Sequence, residues 1–294
     1  MRYTVQHETR YAYGAPVDLG YHLLRLVPPA TRRQRLVEHA IAIDPKPARV
    51  GGFVDHFGNA VRHVAIERRH DTFTVELNAT VEVNAPAADA ATPAEGPAWE
   101  TVAGAIRDDG FPADWAAAEF AYASPLAPED AEARAYCAAS LKAKRPITAA
   151  LRDLTTRINR DFAYVPGATT VSTPVGEVMR IRRGVCQDFA HVMIAGLRAH
   201  GIPARYVSGY IRTHPPPGAP ERRGGDASHA WAAAWCGPDL GWIEFDPTND
   251  LVVGEEHIVL AYGRDFSDVS PLRGVILGGG AHTAEVSVTV TPLG

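Results

Sequence analysis

The hydrophobic repeat of this chain changes period across residues 85–98, and that change divides what the chain can fold into. Before it, bulky side chains recur at every second position, the spacing that turns one face of a β-strand toward a core. Tyr3, Val5, His7, Thr9, Tyr11 and Tyr13 make one such face, and Arg2, Gln6, Glu8 and Arg10 take the other. The pattern returns in Val37, His39, Ile41 and Ile43, and again from Phe73 through Val75, Leu77, Ala79 and Val81 to Val83. Gly58-Asn59 lies between Phe53–Phe57 and Val61–Ile66 and suits a hairpin turn. These signals predict an antiparallel, β-sandwich-like N-terminal domain over residues 1–84, in which Tyr13, His22 and Arg25 read as ordinary sheet residues. Residues 85–98 are rich in Ala and Pro and read as a linker.

Residues 99–294 form the second predicted unit, the core that carries the candidate site residues named below, and there the period becomes helical. Pro128-Glu129-Asp130 opens a helix that runs through Tyr136 toward Lys142–Arg145. Ile147, Leu151, Leu154, Ile158 and Phe162 make one apolar stripe, and Thr173-Pro174 begins a short helix leading to Arg182-Arg183, read as a solvated end. The next helix starts at Cys186 and stops at Gly201-Ile202-Pro203, a glycine stop followed by proline. A thiol in a first helical turn sits among outward-pointing N–H groups at the positive end of the dipole, a place that favours thiolate. β-like segments follow at 204–212, 228–235 and 241–246, and 285–291 alternates once more and should pair into a sheet. The Pro/Gly-rich stretch 214–226 reads as a loop placed where it could close over a groove. Strands, then helices, then strands predict an α+β fold.

Composition narrows the function classes. With 294 residues, 46% hydrophobic and 21% charged, the chain can bury a sizeable core. A net charge of −5 gives it no electrostatic reason to seek nucleic acid or an anionic membrane. No apolar run reaches membrane-spanning length, and Met1–Glu8 reads as a strand, not a signal peptide. Three scattered cysteines (Cys137, Cys186, Cys236) suit neither a disulfide framework nor a CxxC zinc site. The expectation is a soluble, cytoplasmic protein with free thiols and no metal or other cofactor, since no Asp/Asn-rich calcium loop occurs. Oligomeric state is not legible.

A thiol nucleophile needs a base within reach, and the base needs an orienting acceptor. His229 in Ser228-His229-Ala230-Trp231 and Asp246 before Pro247-Thr248 lie on strands joined by a short turn, which can hold them side by side. In this arrangement Cys186 attacks, His229 moves the proton, and Asp246 holds the imidazole. The Cys186 backbone N–H is a natural oxyanion donor, and Tyr164, Gln187 and Trp231 are candidates for a second. Asp188, in the same first turn, is explained by the helix dipole alone, and His191 by packing. Cys137 and Cys236 read as packed thiols with no base in view.

These residues, in this order, strongly resemble the bacterial transglutaminase-like superfamily. The resemblance rests on Arg183-Gly184-Val185-Cys186-Gln187-Asp188-Phe189-Ala190-His191, Gly201-Ile202-Pro203-Ala204-Arg205-Tyr206-Val207-Ser208-Gly209-Tyr210, His229-Ala230-Trp231, Gly241-Trp242 and Phe245-Asp246-Pro247-Thr248. It is dense over 162–250, and residues 1–84 resemble the β-rich domain that often precedes such cores. It implies a papain-like triad of Cys186, His229 and Asp246 on a helical lobe packed against a sheet. It also implies a cysteine acyltransferase that attacks a glutamine-type or peptide amide through a thioester, with a protein or peptide as substrate. Tyr164, before Pro166-Gly167, matches an aromatic position of the family. The superfamily also holds peptidases and amidases, in which water resolves the thioester. Two further readings stand beside it: a binding or scaffold protein with an unused triad, and a metallohydrolase using Cys186, His229 and Asp246 as ligands.

Overall fold

The computed structural model describes residues 1–84, 96–108, 115–213 and 227–293. The α+β class is what it shows: fourteen strands in sheets of seven, five and two, with seven α-helices, among the described residues. Most of the predicted linker and the whole of loop 214–226 lie outside the described residues.

The N-terminal strands form one antiparallel sheet that curls on itself. Its axis is β1 (Arg2–Leu24). The first half of β1 pairs on one side with β5 (His70–Val83) and on the other with β14 (His282–Leu293). The second half pairs with β4 (Ala60–Ile66) and β13 (Leu272–Gly278). The change of partners falls at Gly14-Ala15-Pro16, where the register against β5 slips between Ala12 and Val17. Pro16 has no N–H to give a ladder, and the Gly278-Gly279-Gly280 turn, all three at positive φ, closes against this bend through Gly14 N–H to Ala281 O at 2.7 Å. β2 (Gln34–Asp44) and β3 (Arg49–Val54) complete the sheet at its two edges, outside β5 and β4. The predicted turn at Gly58-Asn59 exists, with Asp55 Oδ1 accepting from the N–H groups of Phe57 at 3.0 Å and Asn59 at 2.9 Å.

One feature departs from the expected division at residues 85–98. β13 and β14, assigned by sequence to the catalytic core, are hydrogen-bonded into the N-terminal sheet through β1. Period-two alternation states that a segment is a strand and is silent on which sheet receives it.

The second half is built around one buried helix. α1 (Trp99–Asp108) and α2 (Trp115–Ala118) lead to α3 (Ala131–Ala138), α4 (Ile147–Asp161), the two-residue strand β6 (Ala163–Tyr164) and α5 (Val175–Ile181). α3 is shorter than predicted because Asp130 is its N-cap, accepting from Ala133 N–H at 2.8 Å, so the preceding Pro128 stays outside. β7 (Arg183–Gly184) pairs with β6 and delivers the chain to α6 (Cys186–Arg198). After α6 the chain makes β8 (Ala204–Ile211), β9 (His229–Trp235), β10 (Trp242–Asp246), β11 (Leu251–Val252) and β12 (His257–Gly263), in the sheet order β11-β10-β9-β8-β12. A short α7 (Phe266–Val269) then returns the chain to the first sheet.

Alternation on β9 creates two cores. Ala230, Ala232 and Ala234 pack with Phe189, Ala190, Met193 and Leu197 of α6, while Trp231 and Ala233 pack with Val207, Val253 and Val259. Small alanines on the helix side let α6 lie close to the sheet. The two halves share a core as well: Tyr210 of β8 and Ile258 and Leu260 of β12 are buried with Tyr3, Phe73, Leu77 and Val290 of the curled sheet.

Candidate active site

Cys186 opens α6 and is 8% exposed, while Cys137 and Cys236 are fully enclosed. The first turn is anchored by Asp188, whose Oδ2 accepts from Val185 N–H at 2.8 Å and from Thr169 Oγ1 at 2.6 Å. Burial pushes the Asp188 carboxyl up, against these two donors. A Cβ on Gly184 would stand 2.5 Å from Asp188 Oδ2, so a glycine there makes room for the cap. Asp188 therefore shapes the turn that presents the thiol, as the dipole argument anticipated.

His229 begins β9 and Asp246 ends β10, both fully enclosed, and the antiparallel pairing of these strands brings them together. His229 Nε2 lies 2.9 Å from Asp246 Oδ2. The other ring nitrogen, Nδ1, is buried without a hydrogen-bond partner of ordinary geometry, and the Cys186 thiol acts on the ring beside Asp246. Burial alone would drive His229 toward neutrality; Asp246, by charge and hydrogen bond, and then Cys186 more than reverse it, so the ring is held well above the ordinary histidine value. Burial likewise opposes charge on Asp246, but His229 and His257 hold the carboxyl far below the ordinary carboxylate range. The His229 imidazole thus has the Asp246 carboxylate at Nε2 and the Cys186 thiol as a second interacting neighbour.

Asp246 has more partners than its sequence neighbourhood announced. Oδ1 accepts from the backbone N–H groups of Thr248 at 2.9 Å and Asn249 at 3.2 Å, an Asx-type turn just after β10. Oδ2 accepts from Asn249 Nδ2 at 2.8 Å and faces His257 Nε2 at 3.1 Å. His257, the first residue of β12, was missed in the sequence. It lies eleven residues beyond Asp246 in no motif, and β8 stands between β12 and β9 in the sheet, so no strand pairing announces the side-chain contact with Asp246.

The three candidates for a second oxyanion donor have different fates. The Trp231 indole N–H donates to Glu244 Oε2 at 2.8 Å inside the core, which removes it from that role. The Gln187 amide donates to Val171 O at 3.0 Å and ties loop 165–174 to the first turn of α6. Tyr164 sits on β6 directly opposite Gly184 and is half-buried against the α6 core.

His229, Asp246 and His257 are also, among the described residues, the set whose donor atoms lie close enough to hold a metal ion, all within 4.8 Å. Both Nε2 atoms, however, stand at hydrogen-bond distance from the same oxygen, 2.9 and 3.1 Å. A carboxylate flanked by two N–H donors accounts for that geometry. Ligation would require the three lone pairs to meet at a common centre instead.

Residues 3–82 match the family described as the bacterial transglutaminase-like N-terminal region, and residues 134–247 match the transglutaminase-like superfamily. An uncharacterized protein of Mycobacterium tuberculosis is 42% identical over 299 residues, covering 99% of this chain and 93% of that protein. A protein-glutamine gamma-glutamyltransferase of Pseudomonas aeruginosa is 36% identical over 108 residues, 31% of this chain and 14% of that protein. The crystal structure of a candidate cysteine protease from Cytophaga hutchinsonii superposes with a TM-score of 0.75 over 99% of this chain and 90% of that one, at 22% identity.

Proposed function

Because this chain belongs to the transglutaminase-like superfamily, we propose that it is a thiol acyltransferase, in which Cys186 attacks a glutamine-type or peptide carboxamide and carries the acyl group as a thioester. The observation behind this reading is the two-ended use of His229: Nε2 is anchored on Asp246 while Nδ1 is left for the Cys186 thiol. An imidazole held that way takes the thiol proton and keeps it beside the thiolate.

The steps follow from those positions. The Cys186 proton passes to His229 Nδ1, and the thiolate adds to the amide carbonyl carbon. The resulting oxyanion is met by the Cys186 backbone N–H, in a helical turn with no intrahelical acceptor. The C–N bond breaks, and the leaving ammonia or amine takes the proton from His229. A primary amine then attacks the thioester, gives its proton back to His229 and releases the thiolate as the C–S bond breaks. Asp246 keeps the imidazole in place throughout. The local likeness to a gamma-glutamyltransferase over 108 residues supports an amine as the second reactant and a protein or peptide as substrate.

Mass spectrometry of a glutamine-containing peptide, incubated with and without a primary amine, tests the reading. We expect amine incorporation at the glutamine, lost in a folded Cys186→Ala variant. Deamidation or chain cleavage alone would assign the thioester to water, and unchanged turnover by Cys186→Ala would remove the thiol from the chemistry.

A further inference from the structure

We propose that His257 is a positioning residue for the reaction: its Nε2–H, donated to Asp246 Oδ2, holds the carboxylate oxygen where His229 Nε2 meets it. The proposal rests on the thiol reading above and extends it from three residues to four.

A histidine is a poor core filler. Enclosed imidazole that makes no hydrogen bond loses hydration without return, and Leu or Phe would fill the same space at no such cost. His257 is 2% exposed, and its Nδ1 has no partner. The contact with Asp246 Oδ2 at 3.1 Å is therefore what a polar side chain contributes here. An ionised carboxylate only accepts, so the proton on that line belongs to Nε2 of His257.

The ring cannot easily turn away. It stands edge-on to Trp231, with centroids 5.2 Å apart and planes at 75°. Trp231 is itself pinned by its N–H on Glu244 and by Gly209, where a Cβ would come within 2.4 Å of the indole. The backbone beneath His257 is fixed too. β12 is an edge strand with a bulge between Val259 and Ala261, and edges of that kind slip or fray unless covered. Two side-chain amides from the N-terminal half cover it. Gln34 donates to Val259 O at 2.8 Å and accepts from Val259 N–H at 2.7 Å. Asn59 donates to Tyr262 O at 2.8 Å and accepts from Tyr262 N–H at 2.8 Å. Each amide imitates one rung of a missing neighbour strand. The curled sheet thereby sets the position of β12, β12 sets His257, and His257 shares the oxygen that orients His229.

The test follows iodoacetamide alkylation of Cys186, located by peptide mass, at pH 6 and pH 9 in the full chain. In the wild type we expect rapid labelling at pH 6. His257→Phe keeps the bulk and removes the donor. Its pH 6 rate should fall about tenfold while the pH 9 rate changes little, since a thiol ionised by hydroxide needs no oriented imidazole. His257→Gln places an amide N–H near Nε2 and should restore the pH 6 rate to within about threefold. A role in packing alone predicts the reverse: Phe tolerated and Gln harmful, at both pH values alike. A folded Phe variant with the wild-type ratio of rates overturns the proposal. Should the Phe variant not fold, nitrogen-15 spectra of the wild-type histidines decide: Nε2–H at His257 is required, and an unprotonated Nε2 refutes the proposal. A wild type unreactive at pH 6 would instead defeat the thiol reading itself.

Discussion

His22 and His229 are both enclosed histidines, one in the curled N-terminal sheet and one in the candidate active site, and their surroundings drive them in opposite directions. His22 stacks on Phe73 with centroids 4.2 Å apart, and neither ring nitrogen has a partner. Burial, helped by neighbouring His70, pushes it down to about 4. His229 suffers the same desolvation but has Asp246 at 2.9 Å and the Cys186 thiol beside it, and it is pushed up. Burial drives both rings toward the neutral form, and at His229 the carboxylate and the thiol outweigh it. His22 is thus held neutral against an aromatic ring, whereas His229 is poised to hold a proton next to a thiol.

The largest effect should come from abolishing that difference. Asp246→Ala leaves His229 in the condition of His22. We expect Cys186 alkylation at pH 6 to fall by roughly 10²–10⁴-fold. We also expect the fold to lose about 3–5 kcal/mol, since a buried pair loses one partner. The sign of the pH dependence follows from the two shifts. His229, raised in the folded state, contributes its full stability below its ordinary value of 6.5 and loses it as pH rises through the raised value. Asp246, lowered in the folded state, contributes above its ordinary value of 3.8 and loses that as pH falls through the depressed value. Denaturant melts should therefore show the widest gap between wild type and variant from about pH 4 to 6.5 and a narrowing gap on the alkaline side.

His22 predicts the mirror image. Its folded-state value of about 4 lies below the ordinary 6.5, so the unfolded chain gains a proton first as pH falls. Stability drains away between those two values, at up to about 1.4 kcal/mol per pH unit. Chemical denaturation of His22→Leu should show a shallower acid-side decline than the wild type, with Cys186 reactivity unaltered. An unchanged acid slope would mean that His22 is not held neutral.

Gln34→Ala probes the connection between the regions. It removes both hydrogen bonds to Val259 and leaves that backbone N–H and C=O buried. The expected loss is about 1–3 kcal/mol in global stability, with a few-fold drop in the pH 6 labelling of Cys186. The smallest effect should come from the other thiols. Burial pushes Cys137 up to about 12 and Cys236 higher still, so Cys137→Ala and Cys236→Ala should leave the alkylation rate at Cys186 within about twofold.

How much of this was legible in the sequence follows from the range of each signal. The α6 stop at Gly201 and the proximity of His229 to Asp246 are local statements about caps and a short strand connection, and the sequence carried them directly. The same was true of the period-two stripes of β1, β2 and β5. The return of β13 and β14 to β1, the clamp of Gln34 on β12 and the third donor at His257 depend on sheet order across more than two hundred residues or around a bulge. No local pattern encodes those. Trp231 shows the intermediate case: strand alternation placed it beside His229, but its role as an anchor on Glu244 needed the partner strand.

The most direct measurement is the protonation state of His229 in the resting protein, read from nitrogen-15 chemical shifts of labelled histidine at pH 7.5, with His22 as the internal reference. A ring protonated on both nitrogens at His229, alongside a neutral His22, is the predicted result. A neutral His229 at that pH would contradict the account, because the carboxylate and the thiol would then have failed to reverse what burial alone imposes.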